Sequence, residues 1–236
     1  MRVGVISDIH ANKVALEAVL RDMPDVDAVV CAGDVVGYNP WPVECVDAVR
    51  GDLESLDVGA AGVPDAFVDG VPTVIGNHDR MVASDRNFRG NAMAAAGVSY
   101  ARSQLDAARI EWLRALPTER RACDRRVKVV HGHPDDPDRY TYPREFGPHL
   151  LGDEDLLVLG HTHVQGHDRS DAGVVCNPGS VGQPRDGDPR AAYAVVDLDD
   201  LRVEERRVDY DVEAVQAAVE AANLPPRTGE RLAKGR

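Results

Sequence analysis

Lysine is nearly missing from this 236-residue chain, with only Lys13, Lys128 and Lys234 against 24 arginines. Four cysteines, Cys31, Cys45, Cys123 and Cys176, lie far apart with no Cys-x-x-Cys, which suits neither a disulfide framework nor a thiolate zinc knuckle. They read as small buried hydrophobes. No run of 18 apolar residues is present to cross a membrane. Met1 leads into the apolar segment 2–6 without a basic stretch and a longer apolar core, so the expected location is the cytoplasm. The first apolar segment is not followed by Gly-x-Gly-x-x-Gly, and no Walker lysine follows any apolar run, so neither nucleotide-binding fingerprint applies.

What is present is a globular composition, 43% hydrophobic and 28% charged, which excludes a disordered chain or a fibre. Forty acidic residues against 27 basic ones leave a formal charge of -13. That surplus opposes association with nucleic acid or an anionic membrane, so neither is an expected partner, and phosphate would need local positive charge to bind. The acid side is 28 Asp and 12 Glu, a skew found both in proteins adapted to high salt and in the products of GC-rich genomes. Composition leaves the two open, and it leaves the oligomeric state open too, a homo-oligomer included.

Short apolar runs at 3–6, 28–32, 73–75, 127–130, 156–159, 174–176 and 192–196 read as buried strands. Helical patterns lie between them: Leu16, Val19, Leu20 and Met23 after an Asn12 cap; Leu105, Ala108, Trp112 and Leu116; Val212, Val215, Val219 and Ala222 after Asp211. The alternation predicts a layered α/β fold, with antiparallel strands where 174–176, 192–196 and 201–207 follow one another without a helix. Residues 51–72 and 134–148 read as irregular loops. One domain over 1–224 is expected, with 225–236 a polar tail that frays.

The metal-competent side chains sit almost entirely just after these runs. Asp8 and His10 follow the first, Asp34 the second, Asn77 and His78 the third, His131 the fourth, and His161 and His163 the fifth. In an open α/β sheet ligands bind beyond the carboxyl ends of strands, so one edge would gather all eight. Asp8 and His10, like His161 and His163, are two apart, and in extended chain such residues point the same way. Each of these residues alone has an ordinary structural use as a helix cap, a turn or a hydrogen-bonded histidine. All five strand ends together do not.

Asp8-x-His10, Gly33-Asp34, Gly76-Asn77-His78-Asp79, His131-Gly132 and Gly160-His161-Thr162-His163, in this order, resemble the five blocks of the calcineurin-like metallophosphoesterase superfamily. The stretch from Asn177-Pro178-Gly179-Ser180 through Arg185 is similar to its small bacterial and archaeal phosphodiesterase branch. The resemblance implies a two-sheet β-sandwich flanked by helices. It also implies a first metal on Asp8, His10, His163 and the shared Asp34, and a second on Asp34, Asn77, His131 and His161. His78 would face the substrate phosphate, to stabilise charge or protonate the leaving oxygen.

Two divalent ions with Asp8, Asp34 and a bridging hydroxide carry about +1, enough to draw a phosphoryl group to an acidic protein. Such ions, spaced roughly 3.5 to 4 Å apart, would activate the bridging water for in-line attack. Imidazole and oxygen ligands without thiolate suit Mn, Fe, Co, Ni or Zn, with Mn the working choice. The expected activity is hydrolysis of small phosphodiesters or nucleotide-type substrates. Alternatives are a phosphomonoesterase, a dinucleoside polyphosphate hydrolase, or a non-catalytic scaffold on the same fold.

One departure stands out. The protein-phosphatase branch continues its second block as Gly-Asp-x-x-Asp-Arg-Gly, whereas this chain reads Gly33-Asp34-Val35-Val36-Gly37-Tyr38. The carboxylate that would orient and charge the catalytic histidine is missing, which argues against a phosphoprotein substrate. Outside the blocks, His133 reads as a solvated loop residue, and His149 and His167 as surface residues. Arg139, Arg144 and Arg185 could grip phosphate, though solvated or ion-paired roles are the commoner expectation. Tyr38, Tyr140 and Tyr142 are better read as packing than as base-stacking residues.

Overall fold

The computed structural model describes residues 1–59, 62–84 and 91–236. In chain order its elements are β1 (Arg2–Ile6), α1 (Lys13–Asp22), β2 (Ala28–Cys31), α2 (Pro42–Val49), α3 (Asp65–Val68), α4 (Asn77–Ala83), α5 (Ala92–Gln104) and α6 (Ala107–Ala115). There follow β3 (Glu119–Ala122), β4 (Val127–Val130), β5 (Leu156–Val158), β6 (Gly166–Ser170), β7 (Gly173–Asn177), β8 (Ala191–Asp197), β9 (Arg202–Val208), α7 (Val212–Ala221) and α8 (Arg227–Leu232). Two single 3-10 turns, Pro143–Glu145 and Pro148–Leu150, punctuate the loop before β5.

The strands form two mixed sheets, one ordered β2-β1-β8-β9 and the other β3-β4-β5-β7-β6. In the first, β1 runs parallel to β2 (Val5 opposite Val30) and antiparallel to β8 (Val5 opposite Ala194). In the second, β4, β5 and β7 are parallel, and β3 and β6 close the edges antiparallel. Strand alternation sends Val3, Val5, Val30, Val127, Val129, Leu156, Val158, Val174, Ala194 and Val196 into a shared apolar layer between the sheets. The opposite face of the first sheet offers Ile6, Val29, Cys31 and Val195 to Leu16, Val19 and Leu20 of α1 and to Val46 and Val49 of α2. The fold is thus the expected α/β sandwich of two sheets flanked by helices.

The predicted helices begin on local signals. The Asn12 side chain accepts from Ala15 N at 3.1 Å, Asp106 from Arg109 N at 2.9 Å and Asp211 from Ala214 N at 2.9 Å, satisfying free N–H groups at the starts of α1, α6 and α7. The strand expected at 73–75 does not form. It follows Pro72, pairs with β2 through one bridge between Cys31 and Thr73, and then spends the Ile75 N–H on Pro117 O at 2.8 Å. The irregular reading of 51–72 holds apart from the single turn of α3, with residues 60 and 61 outside the described residues.

Residues 225–236, expected to fray, instead carry α8. Thr228 and Leu232 are fully buried, and Leu232 joins Val215 and Val219 of α7 in a small apolar cluster. Two or three apolar residues suffice to dock a short polar helix when a neighbouring helix supplies the rest of the interface.

The cysteines behave as small hydrophobes: all four are free, and Cys31, Cys45 and Cys176 are buried. Burial pushes these three thiols up, away from reactivity. Among the described residues no helix is long and apolar enough to cross a membrane.

The acid surplus produces a testable consequence. Self-repulsion among the excess carboxylates is screened by salt, so the thermal midpoint is expected to rise between dilute buffer and molar KCl. A midpoint that stays level or falls would leave the Asp-rich composition to genomic bias.

Candidate metal centre

The parallel strands of both sheets end at the same edge of the sandwich. There β1 delivers Asp8 and His10, β2 delivers Asp34, β4 delivers His131, and β5 delivers His161 and His163. Asn77 and His78 open α4 instead of following a strand. Backbone bonds hold the loops in register: Asp8 N donates to Gly33 O and His10 N to Asp34 O, both at 2.9 Å, and Gly160 N donates to His131 O at 2.8 Å. His161 N crosses from the second sheet to Asp8 Oδ2 at 3.0 Å.

Five of the eight predicted site residues lie in left-handed backbone: Asp8, His10, Asp34, His161 and His163, with φ between 49° and 67°. For non-glycine residues this conformation costs on the order of 1 kcal/mol or more, and it survives where surrounding structure imposes it, often at functional sites. Gly76 lies in ordinary extended backbone, but a Cβ there would stand 2.0 Å from Asp34 Oδ1. Only glycine leaves the carboxylate its place.

Asp8, His10, Asp34 and His163 each aim one donor atom into a group spanning no more than 4.8 Å. His10 Nε2 and His163 Nε2 are 3.1 Å apart, and Asp8 Oδ1 lies 3.1 Å from His163 Nε2. The other oxygen of Asp8 is occupied, accepting from Ser7 Oγ at 2.6 Å. Its inward Oδ1 is buried with no hydrogen-bond partner. Asp34 is arranged likewise: Oδ1 accepts from His78 N at 2.7 Å, while Oδ2 lies 3.6 Å from His10 Nε2 and 3.5 Å from His131 Nε2. A single oxygen therefore stands between the two predicted half-sites. In the second of these, Asn77 Oδ1 is 3.1 Å from His131 Nε2, and the His161 ring centroid is 4.9 Å from that of His131.

The histidine tautomers follow from their outer contacts. Nδ1 of His10, His131 and His163 meets the carbonyl of Val36, Ala32 and Gln183 at 3.3, 2.7 and 2.6 Å. A carbonyl can only accept, so each Nδ1 carries a proton, and in the neutral ring Nε2 presents its lone pair inward. His161 is reversed: its Nε2 meets Asp138 O at 3.1 Å, leaving Nδ1 as the free lone pair.

Electrostatics express the same demand for a cation. The surrounding imidazoles hold Asp8 and Asp34 well below the usual carboxylate range although burial opposes this. Burial also favours neutral His131, but the Asp34 carboxylate outweighs it and pushes the ring up to about 9. A positive charge is stabilised where Asp34 Oδ2 and Asn77 Oδ1 converge on that nitrogen. His78 and His163 are pushed down to about 3, chiefly by burial.

Several residues that shape the centre carry no metal-ligand signal in the sequence. Asp79 accepts from Val36 N at 3.1 Å and Gly76 N at 3.0 Å, tying the second block to the third and fixing the start of α4. Burial, followed by the charge of Asp34, pushes its carboxyl up to about 7. A carboxylate three residues after Gly76 is a capping signal, and could have been read as one. Within 177–185, Asn177 Nδ2 donates to Gly160 O at 2.7 Å, Ser180 Oγ donates to Asp8 O at 2.7 Å, and Gln183 contributes the carbonyl behind His163. This segment supports ligand-bearing loops of both sheets.

The lesser candidates separate clearly. His133 is buried rather than solvated, because its Nδ1 accepts from Asp135 N at 3.1 Å and organises the turn after β4. His149 and His167 are exposed, as expected. Arg139 and Arg144 are exposed, Arg144 lying over the Tyr142 ring. Arg185 stands at the centre's margin, donating to Tyr38 Oη at 3.2 Å and to Gln183 Oε1 at 2.7 Å. Tyr38 is buried with its ring 4.9 Å from His10 and 4.6 Å from His78, and Tyr140 stacks on His161 at 4.0 Å.

Fold and site together define a metal-binding hydrolase of phosphoric esters. The family model of the calcineurin-like phosphoesterase superfamily domain matches residues 1–201, and the chain belongs to that superfamily. It is similar to a metallophosphoesterase from Sphaerobacter thermophilus, with 35% identity, a TM-score of 0.79, and coverage of 100% of this chain and 99% of the other. The uncharacterized protein MJ0912 of Methanocaldococcus jannaschii is 30% identical over 99% of this chain and 98% of its own. The hypothetical protein PH1004 of Pyrococcus horikoshii shares the fold at 20% identity, with a TM-score of 0.79 and coverage of 100% and 98%.

Proposed function

We propose that the chain hydrolyses small phosphodiesters or nucleotide-type phosphoesters with two divalent ions, the first held by Asp8, His10, Asp34 and His163, the second by Asp34, Asn77, His131 and His161. The observation that carries this reading is Asp34 Oδ2, which lies within 3.6 Å of a histidine nitrogen of each set. The donor set fits such ions on local grounds. Asp8 Oδ1 is buried and unpartnered, and His10 and His163 face each other through bare lone pairs 3.1 Å apart, an arrangement that repels unless a cation lies between.

Bound there, two ions would polarise the phosphoryl oxygens and activate a water. Nitrogen and carboxylate donors without sulfur favour Mn, Fe, Co, Ni or Zn, with Mn the choice for reconstitution. The protein's own part is positional: backbone carbonyls fix the three Nδ1–H groups, and His78 faces the phosphoryl group from the start of α4. Every donor position is filled, which favours an enzyme over a scaffold. The substrate is a small soluble phosphoester, met in the cytoplasm.

Elemental analysis after reconstitution in excess Mn, with turnover of bis(p-nitrophenyl) phosphate beside p-nitrophenyl phosphate, tests the reading. Two ions per chain and faster diester turnover are expected. A stoichiometry that stays at one or below would sink the two-ion assignment, and turnover of the monoester alone would sink the diester preference.

A further inference from the structure

A cavity of about 620 Å³ is lined by Met93, Arg227, Arg231, Lys234 and Arg236, with Glu230 the one acidic side chain among the described lining residues. Four basic side chains against one acidic side chain run opposite to the chain's net charge of -13. Several other arginines are paired: Arg109 with Asp47 and Asp106, Arg126 with Asp155 and Asp199, and Arg207 with Asp186. None of the four cavity cations forms an ion pair with a described residue.

The cavity adjoins the centre through Tyr38. Met93, which lines it, packs on Tyr38, whose ring centroid lies 4.6 and 4.9 Å from those of His78 and His10. Arg185 caps the same ring, its guanidinium carbon 5.8 Å from the centroid and Nη2 3.2 Å from the hydroxyl. The cations sit on an anchored frame. Leu232 fixes α8 against α7, and Gly187 N donates to Gly235 O at 3.0 Å, tying the turn after α8 to the loop that carries Arg185. A site held this way loses little ordering free energy when it binds. Burial lowers the Arg231 pKa, and the like charges of Arg185 and Arg227 lower it further. An anion placed among them relieves that repulsion.

We infer that this cavity binds a second phosphate group of the substrate, so that the enzyme prefers phosphoesters carrying linked phosphates, nucleoside polyphosphates in kind, over those with a single phosphate. Guanidinium groups suit such an anion because they meet phosphate oxygens with paired N–H donors. The inference rests on the phosphoesterase reading above, since it assumes that the first phosphate occupies the metal centre.

AMP, ADP and ATP, with Mn in excess over nucleotide, are tested as inhibitors of bis(p-nitrophenyl) phosphate turnover, and their binding is measured in parallel by calorimetry. In the wild type ADP and ATP should bind roughly tenfold or more tightly than AMP. In the double variant Arg227→Ala/Arg231→Ala that advantage should vanish while AMP affinity changes by less than about twofold, and Arg231→Lys should keep most of it. An unchanged melting midpoint guards against misfolding. Equal affinities for the three nucleotides in the wild type would overturn the inference, as would an equal loss for all three in the variant, which marks diffuse attraction. Absence of diester turnover with any metal would instead defeat the phosphoesterase reading, leaving calorimetry to report on the cavity.

Discussion

Asp34→Asn is expected to lower kcat/KM for the diester by roughly 10³-fold or more, about 4 kcal/mol of transition-state stabilisation, while leaving the fold intact. The carboxylate has two separable duties. Oδ1 accepts the His78 N–H at 2.7 Å, and the amide oxygen of Asn can take that bond over. Oδ2 stands between His10 and His131. There Asn would place an NH2 group, which donates to imidazole lone pairs instead of attracting a cation. Both half-sites should therefore lose affinity together. Metal content by elemental analysis should fall below one ion per chain at metal concentrations that saturate the wild type, and the metal-free melt should stay within a few degrees. If the Asp34→Asn variant retained two ions and near-normal turnover, Asp34 would not be the shared ligand.

The blocks around Asp34 were legible because their chemistry is local. Residue type and order along the chain pointed to one edge, and the fold brings Asp8, His10, Asp34 and His163 into one group, but extended spacing is not the reason: Asp8, His10, His161 and His163 lie in left-handed backbone, and His163 joins that group without His161. What was not legible depends on partners far away in sequence. Glu119–Ala122 is a strand whose one apolar residue is Ala122, stabilised as an edge by pairing with β4 and by ion pairs of Lys128 with Glu119 and Arg121 with Glu154. Helix α5 has a weak apolar pattern because its contacts are made by small residues. Gly97 lies so near Tyr38 that a Cβ would stand 2.2 Å from its backbone nitrogen.

At 73–75 the apolar run suggested a strand, but Pro72 and a single bridge left an extended lead-in to α4. The misread tail matters most for function. Polar composition pointed to fraying, yet the same arginines that made it polar line the cavity next to Tyr38. Sequence composition cannot separate solvated cations from converging ones.

In the proposed reaction His78 faces the phosphoryl group, and its surroundings bear on the two roles open to it there. Its ring is buried and Nδ1 has no partner. Gly37 occupies the position of the missing carboxylate at φ 105°, where a Cβ would stand 2.5 Å from Nδ1. No side chain fits there, and although the Asp34 charge opposes it, burial pushes the imidazole pKa down to about 3. Near pH 7 the ring is therefore neutral, able to donate an N–H hydrogen bond to a phosphoryl oxygen but a poor source of a full proton.

His78→Ala is accordingly expected to lower kcat by roughly 10² to 10³, the worth of one oriented donor to a charged transition state, with metal content unchanged. The loss should be similar, within about tenfold, for a nitrophenyl diester and an alkyl diester, because hydrogen bonding to the phosphoryl group serves both. A general acid would behave differently: nitrophenolate leaves as a stable anion, whereas an alkoxide needs the proton, so the alkyl ester would suffer far more. Gly37→Asp provides the converse check. Its side chain would collide with Nδ1 before it could pair with it, so activity should fall, not rise. A much larger loss on the alkyl diester, or a gain from Gly37→Asp, would return His78 to proton transfer, and loss of an ion from His78→Ala would make it a ligand.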